Sequence, residues 1–323
     1  MGVSRRSFVS LASGTLMLSA AGASAQAYPS RPARILVGFS PGGATDIQAR
    51  LMGQWLSDRL GQQFIVENKA GASGNIATEM AAKAPPDGYT LLQVVTPHAI
   101  NPALYPNLGF DFLRDIAPVM CAARLAYLVV VNPSLPVRTL PEFIAYAKAN
   151  PGKINYGSAG AGTPQNIAAE LFKSMAGVNL LHVPYRGGAP AVADLIAGHV
   201  QVVFAPVSES IEQVNAGRLR ALAVTTASRL EVLPEVPAVA EFVPGYEASG
   251  FAGIGVPTGT PAEIVTLLNK ELNAGVADPK IKARIVELGG TPLGGTSAEF
   301  GKILAEATEK WARVIKSAGI KAE

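Results

Sequence analysis

The sequence predicts an α/β fold arranged as two lobes around a cleft, on three observations. Short β-rich runs alternate with segments of helical apolar spacing along most of the chain. Pro and Gly cluster in NPSLPVRTLPE (residues 132–142) and LPEVPAVAEFVPGYE (233–247), which are candidate crossings between lobes. Glycine-rich loops recur where a strand hands over to a helix.

Taken in order, RILVGF (34–39) is the first strand and is followed by a helix over 47–60; QFIVEN (63–68) is the second, followed by a helix over 76–83. TLLQVV (90–95) and LAYLVVV (125–131) are strands, the latter followed by a helix over 140–149. The middle continues with strand KINYG, a helix over 164–175, strand NLLHVPY, a helix over 190–197, strand VQVVFA, a helix over 209–215 and strand LRALAVT. The last part holds strand FAGIGVP, a long helix opening at PAEIVTLLNKELNAG, a shorter one over 279–288 and a final one over 297–318. With crossings near residues 127 and 245, residues 128–245 form one contiguous lobe, and 28–127 plus 246–323 form the other. A cleft between two such lobes is a natural place for a ligand.

The chain has 323 residues, of which 49% are hydrophobic and 16% charged, enough to bury the cores of two domains. Residues 1–27 stand apart as a signal peptide: SRRSFVS is a basic start, LASGTLMLSAAGASA is apolar, and small-x-small sites place cleavage near Ala25 or Ala27. Arg5 and Arg6, between Ser4 and Phe8, fit a twin-arginine signal, although paired basic residues also occur in general secretory signals. The apolar run is short for a spanning helix and is broken by Ser and Gly, which argues against an anchor and for release into the periplasm. Without these residues the net charge falls from +3 to +1, which argues against nucleic acid as a partner. The lone Cys121 cannot form an internal disulfide and reads as a buried small hydrophobe.

FSPGGATD (39–46) carries the chemistry of the first loop. Gly42 and Gly43 admit backbone conformations and close approaches that a Cβ would hinder, and Thr45 is placed to cap the following helix. The first-turn N–H groups and the helix dipole then favour an anion. Taken alone, the pattern describes either an anion seat or a tight turn; it is neither the GxxxxGK[ST] nor the GxGxxG phosphate loop. The arrangement recurs in GSAGAGTPQN (157–166), with Thr163 as N-cap and Pro164 at the first helical position. TPHAINPALY (96–105) leaves its strand with hydroxyl and amide groups, and in NKAGASGN (68–75) Asn75 is either a cap or a ligand contact. Phe39 and Phe204, at strand ends, face either the ligand or the core. Tyr105, Tyr156 and Tyr185 read as core packing, and Trp311 as packing of the last helix on the first lobe.

Catalytic groups are sparse. The three histidines, His98, His182 and His199, form no HExxH, there is no second Cys for a metal site, and no GxSxG elbow is present. His182 reads as a strand-end residue, His199 as a surface residue and His98 as the one at the cleft. Asp111 and Asp115 suit capping or solvation better than acid–base work. No enzyme activity, metal or cofactor is expected.

These segments together resemble the extracytoplasmic solute receptors of tripartite tricarboxylate transporters, the Bug receptors. The resemblance runs through YPSRPARILVGFSPGGATD, GQQFIVENKAGASGNIATEMAAKAPPDGYTLL, TPHAINPALY, FDFLRDIAPV, residues 151–204, GRLRALAVTTASR, LPEVPAVAE and residues 298–323. Order and spacing, more than any single motif, make it specific. It implies a type II-like periplasmic-binding-protein architecture of the Venus-flytrap kind. Such a monomer closes on a small carboxylate and delivers it to the large and small membrane subunits of the transporter; a periplasmic sensor feeding a signalling system is the alternative.

By the same resemblance, the first-lobe positions that hold the ligand are Ser40, Pro41, Gly42, Gly43, Thr45, Thr96, His98, Ala99 and Asn101, with Phe39 beside them. Those of the second lobe are Ser158, Ala159, Gly160, Gly162, Thr163 and Gln165. The chain departs from the family pattern at Ser40 and Ala44, within a loop usually FPPGGGTD; at Asn166, usually His; and at Ala205, usually Asp. The absence of an acid at Ala205 predicts ligands without a cationic amino group: simple mono- or dicarboxylates or aromatic acids.

Overall fold

The structure is a computed structural model that describes residues 28–321; the signal sequence, its Arg5 and Arg6 and its cleavage sites lie outside the described residues. The elements in order are β1 (Ala33–Val37), α1 (Ala44–Leu60), β2 (Phe64–Asn68), α2 (Asn75–Ala82), β3 (Thr90–Val95), α3 (Pro97–Leu104), α4 (Phe112–Asp115) and β4 (Ile116–Leu125). Then come β5 (Tyr127–Val131), α5 (Leu140–Ala149), β6 (Asn155–Ser158), α6 (Pro164–Ala176), β7 (Leu181–Pro184), α7 (Gly188–Ala197), β8 (Val202–Pro206), α8 (Val207–Asn215) and β9 (Arg220–Val224). The chain closes with β10 (Gly250–Pro257), α9 (Ala262–Ala277), α10 (Pro279–Glu287), β11 (Gly290–Pro292) and α11 (Ser297–Ala318).

The α/β alternation builds two sheets. One has the order β11-β4-β10-β3-β1-β2 and the other β7-β6-β8-β5-β9. In each, a strand pairs in parallel on both sides: β1 with β2 and β3, and β6 with β7 and β8. In each, the next strand inward is antiparallel: β10, which follows the return to the first sheet, beside β3, and β5 beside β8. Strands β3, β5 and β10 are buried along their whole length. That is why YLVVV and GFAGIGVP are continuous apolar or small-residue runs, and TLLQVV is one but for Thr90 and the buried Gln93, rather than alternating. The chain leaves the first sheet at Ala126 and returns at Gly250.

Beyond the short α4 and β11, for which no element was expected, two elements differ from the expectations. IAPVMCAARL is strand β4, although Ala and Pro are poor strand formers; its antiparallel pairing with β10 along its length, not local propensity, makes it extended. TPHAINPALY is a helix, α3, rather than a loop, with Pro97 in the first turn where a missing N–H costs nothing.

One close approach sets the first loop against the rest. A Cβ on Gly38 would lie 2.5 Å from the Gly74 Cα, so the backbone leaving β1 and the turn before α2 touch directly. Gly38→Ala is therefore expected to cost about 1–3 kcal/mol. A lower denaturation midpoint with an unchanged slope would show it, and an unchanged midpoint would mean that these two turns do not meet.

Candidate ligand-binding site

The parallel strands β1, β3, β6, β7 and β8 all point their carboxyl ends at one cavity of about 720 Å³, which lies in the size range of small-molecule sites. This is where ligands bind in open α/β sheets, because helices begin there with N–H groups that lack partners within the helix.

The β1–α1 loop is held by Asp46. Its buried carboxylate accepts from the Gly42 N–H at 2.9 Å, Arg50 Nε at 3.0 Å and Asn68 Nδ2 at 2.9 Å. Asn68 also donates to the Phe39 carbonyl at 3.0 Å. Gly42 has φ +81°, a conformation that side-chain-bearing residues rarely adopt. Burial raises the Asp46 pKa, but the hydrogen bonds from Arg50, Gly42 and Asn68 outweigh it and hold the carboxyl below its ordinary 3.8.

The β6–α6 loop repeats this device without charge. Asn166 Oδ1 accepts from the Gly162 N–H at 2.9 Å, Gly162 has φ +72°, and Asn166 Nδ2 donates to the Tyr156 hydroxyl at 2.7 Å. Asn166 is thus a buried positioning residue and does not line the cavity.

Both helices open without a side-chain cap. The N-cap of α1 is Gly43, which corrects the expected Thr45; Thr45 lies inside the first turn. Thr163 is the N-cap of α6 as expected, but its hydroxyl donates to the Gly160 carbonyl instead of capping. Ala44, Thr45, Pro164 and Gln165 of these two first turns line the cavity, α1 from one sheet and α6 from the other. Gln48 and Gln165 are buried beside it.

Of the sequence-predicted residues, the cavity brings together Phe39, Ser40, Pro41, Gly42, Gly43, Thr45, Thr96, Ala159 and Gln165. The others lie behind this lining. His98 is buried, with Nδ1 on the backbone of Val95, and burial pushes its pKa down to about 4. Ala99 is buried, and Asn101 donates to Ser73 and to Asn75, which is the first residue of α2 rather than its N-cap and does not line the cavity. Ser158 is bonded to His182 and Gly160, Gly162 packs on Leu104, and Gly160 and Thr163 hold the loop together. Phe204 is in the core. Ala205 is fully buried as well, so the absence of an acid there does not describe the cavity wall.

Sequence reasoning missed the rest of the lining: Arg186 to Pro190 after β7, Ser208 and Glu209 in the first turn of α8, Tyr127 just after the crossing, and Leu288 and Gly289 in the turn before β11. The pair Gly187-Gly188 after a strand was the available signal, since it repeats the pattern of Gly42-Gly43. Among the described residues, Arg186 is the only cation lining the cavity and Glu209 the only acid. Burial raises the Glu209 carboxyl above its ordinary value. Burial also raises the Tyr127 hydroxyl, helped by the Glu209 charge and opposed by a hydrogen bond with Thr96.

Asp46→Ala is expected to cost about 3 kcal/mol, because it strips a buried, charge-assisted acceptor from three donors. The pH dependence has a definite sign. With its folded value depressed, Asp46 contributes full stability above the ordinary 3.8, and that contribution disappears as pH falls through the lower folded value. Denaturant melts of wild type and Asp46→Asn should converge on acidification across that window; a constant gap would assign Asp46 no charged role.

This geometry has known counterparts. The Tripartite tricarboxylate transporter family receptor pattern, TctC, matches residues 48–320. Protein BugT of Bordetella pertussis is 35% identical over 305 residues, covering 94% of each chain. The solved structure of R. palustris Rpa4515 with adipate is 38% identical with a TM-score of 0.81, covering 91% of this chain and 99% of that one. MatC from Rhodopseudomonas palustris, with bound malate, is 27% identical with a TM-score of 0.77, covering 89% and 100%. The chain therefore belongs to the tripartite tricarboxylate transporter receptor family, a family of solute-binding receptors and not of enzymes.

Proposed function

We propose that this protein is a periplasmic receptor that captures a small carboxylate between two lobes, residues 28–127 plus 246–323 and residues 128–245, and hands it to the membrane subunits of a tripartite transporter. The observation that carries this is the pair of first turns, α1 and α6, that open on one cavity from two different sheets without side-chain caps. Uncapped first turns that line one cavity, with the helix dipoles behind them, suit a carboxylate. Each hydrogen bond to a charged group contributes about 1.5–3 kcal/mol, so three or four yield micromolar affinity after ordering costs. The relatives point the same way, since Rpa4515 was solved with adipate and MatC with malate. Because the two turns belong to different sheets, a ligand bridging them favours the closed arrangement, and closure is the signal a membrane partner can read. Export through residues 1–27, by the twin-arginine route, and action as a monomer complete the proposal.

The test is a thermal-shift screen of residues 28–323 with mono-, di- and tricarboxylates, aromatic acids and amino acids, since a ligand that binds only the folded state raises Tm. A saturable shift with a carboxylate is expected. Gly43 has φ −76° and no neighbour nearer to an added Cβ than the Ser40 carbonyl at 3.7 Å, so Gly43→Leu folds while its side chain obstructs the seat. A loss of affinity of about 100-fold, the equivalent of one strong charged hydrogen bond, is expected for this variant. Undiminished carboxylate binding by Gly43→Leu would remove the α1 turn from the site.

A further inference from the structure

The wall formed by α7 and α8 carries a feature that the carboxylate seat does not use. Glu209 stands in the first turn of α8 and lines the cavity. Its carboxylate lies against the start of α7, where a Cβ on Gly188 would meet Oε2 at 2.0 Å. Gly188 does not need glycine for its backbone angles, and a Cβ there would push the flexible Glu209 carboxylate aside. Asp46 and Glu247 have hydrogen-bonding partners, whereas Glu209 has no ion pair or hydrogen bond among the described residues. It also belongs to the sheet opposite the β1–α1 loop, so a ligand whose carboxylate sits at Gly43 to Thr45 extends its far end towards this wall.

We infer that Glu209 determines ligand specificity, accepting a hydrogen bond from the far end of the bound carboxylate and disfavouring a second ionised carboxylate there. This rests on the carboxylate reading of the cavity. Glu209 is itself exposed to the cavity, and an acceptor-only group there is satisfied by a hydroxyl, amide or ammonium and repelled by a like charge. Arg186, two residues before Gly188, belongs to the same wall, but it is exposed and makes no ion pair with Glu209, so it leaves that carboxylate unneutralised. The ligand class is then a monocarboxylate with a hydrogen-bond donor at its other end. The expectation of ligands without an amino group, drawn from Ala205, is replaced, because Glu209 supplies from the next turn the acid that Ala205 lacks.

Titration calorimetry of wild type, Glu209→Gln, Gly188→Ala and Arg186→Gln with adipate, its ω-hydroxy and ω-amino counterparts and hexanoate tests this. Wild type should prefer the hydroxy and amino acids to adipate. In Glu209→Gln the affinity for adipate relative to the hydroxy acid should rise by about 10-fold or more. Gly188→Ala, which displaces the Glu209 carboxylate, should move the ratio in the same direction. If hexanoate binds all four proteins while the ratio stays unchanged in Glu209→Gln, the inference is overturned and the carboxylate seat stands. A ratio that falls only in Arg186→Gln assigns the far end to Arg186 and also overturns it. If no acid binds any of the proteins, both the inference and the carboxylate reading fail.

Discussion

The site depends on one hydrogen bond made twice. In each sheet, a glycine with positive φ ends the loop after the first parallel strand, and its N–H is bound by the side chain four residues on, at the third position of the helix: Asp46 on Gly42 and Asn166 on Gly162. A buried or half-buried N–H left without a partner is costly, so this bond selects the turn. It also keeps the side chain from capping the helix outward. Neither helix start then carries a side-chain cap, and residues of both first turns line the cavity.

The two copies differ in charge, and their surroundings account for it. Asp46 gathers three donors from the backbone, a guanidinium and an amide, so an ionised acceptor is matched on every side. Asn166 stands between one donor, Gly162 N–H, and one acceptor, the Tyr156 hydroxyl, whose own proton goes to Glu170. A neutral amide satisfies both and a carboxylate would not. The first loop is anchored by an ionised group and the second by a neutral one, so acid weakens the first selectively.

Cavity chemistry follows from where strands end. Parallel strands deliver helix N-termini to a common edge, and the crossing at Ala126 together with the turn at Gly289 brings the two edges face to face. In the proposed carboxylate site the affinity rests on backbone amides of the two first turns. Discrimination between ligands then falls to the few charged or polar side chains on the wall, of which Glu209 and Arg186 are the charged pair.

The α/β class, most strands and helices, the two glycine loops and the family were legible in the sequence, because apolar runs, Gly-Gly turns and Thr-Pro helix starts are local signals. Strand β4 was not, since its Ala- and Pro-rich segment is extended only by pairing with a strand 130 residues away, as in the register Cys121 with Gly253. Neither was the division of the site residues into lining and support. His98, Asn101 and Ser158 have the residue types of ligand contacts, but tertiary packing turns them inward to satisfy neighbouring polar groups. Glu209 has the composition of any solvated helix, and only its placement against Gly188, from a different strand-to-helix junction, makes it part of the cavity. The sequence by itself determined the local backbone shapes that can hold an anion. The tertiary structure decided which side chains share the cavity with it, because that depends on contacts between residues far apart in the chain.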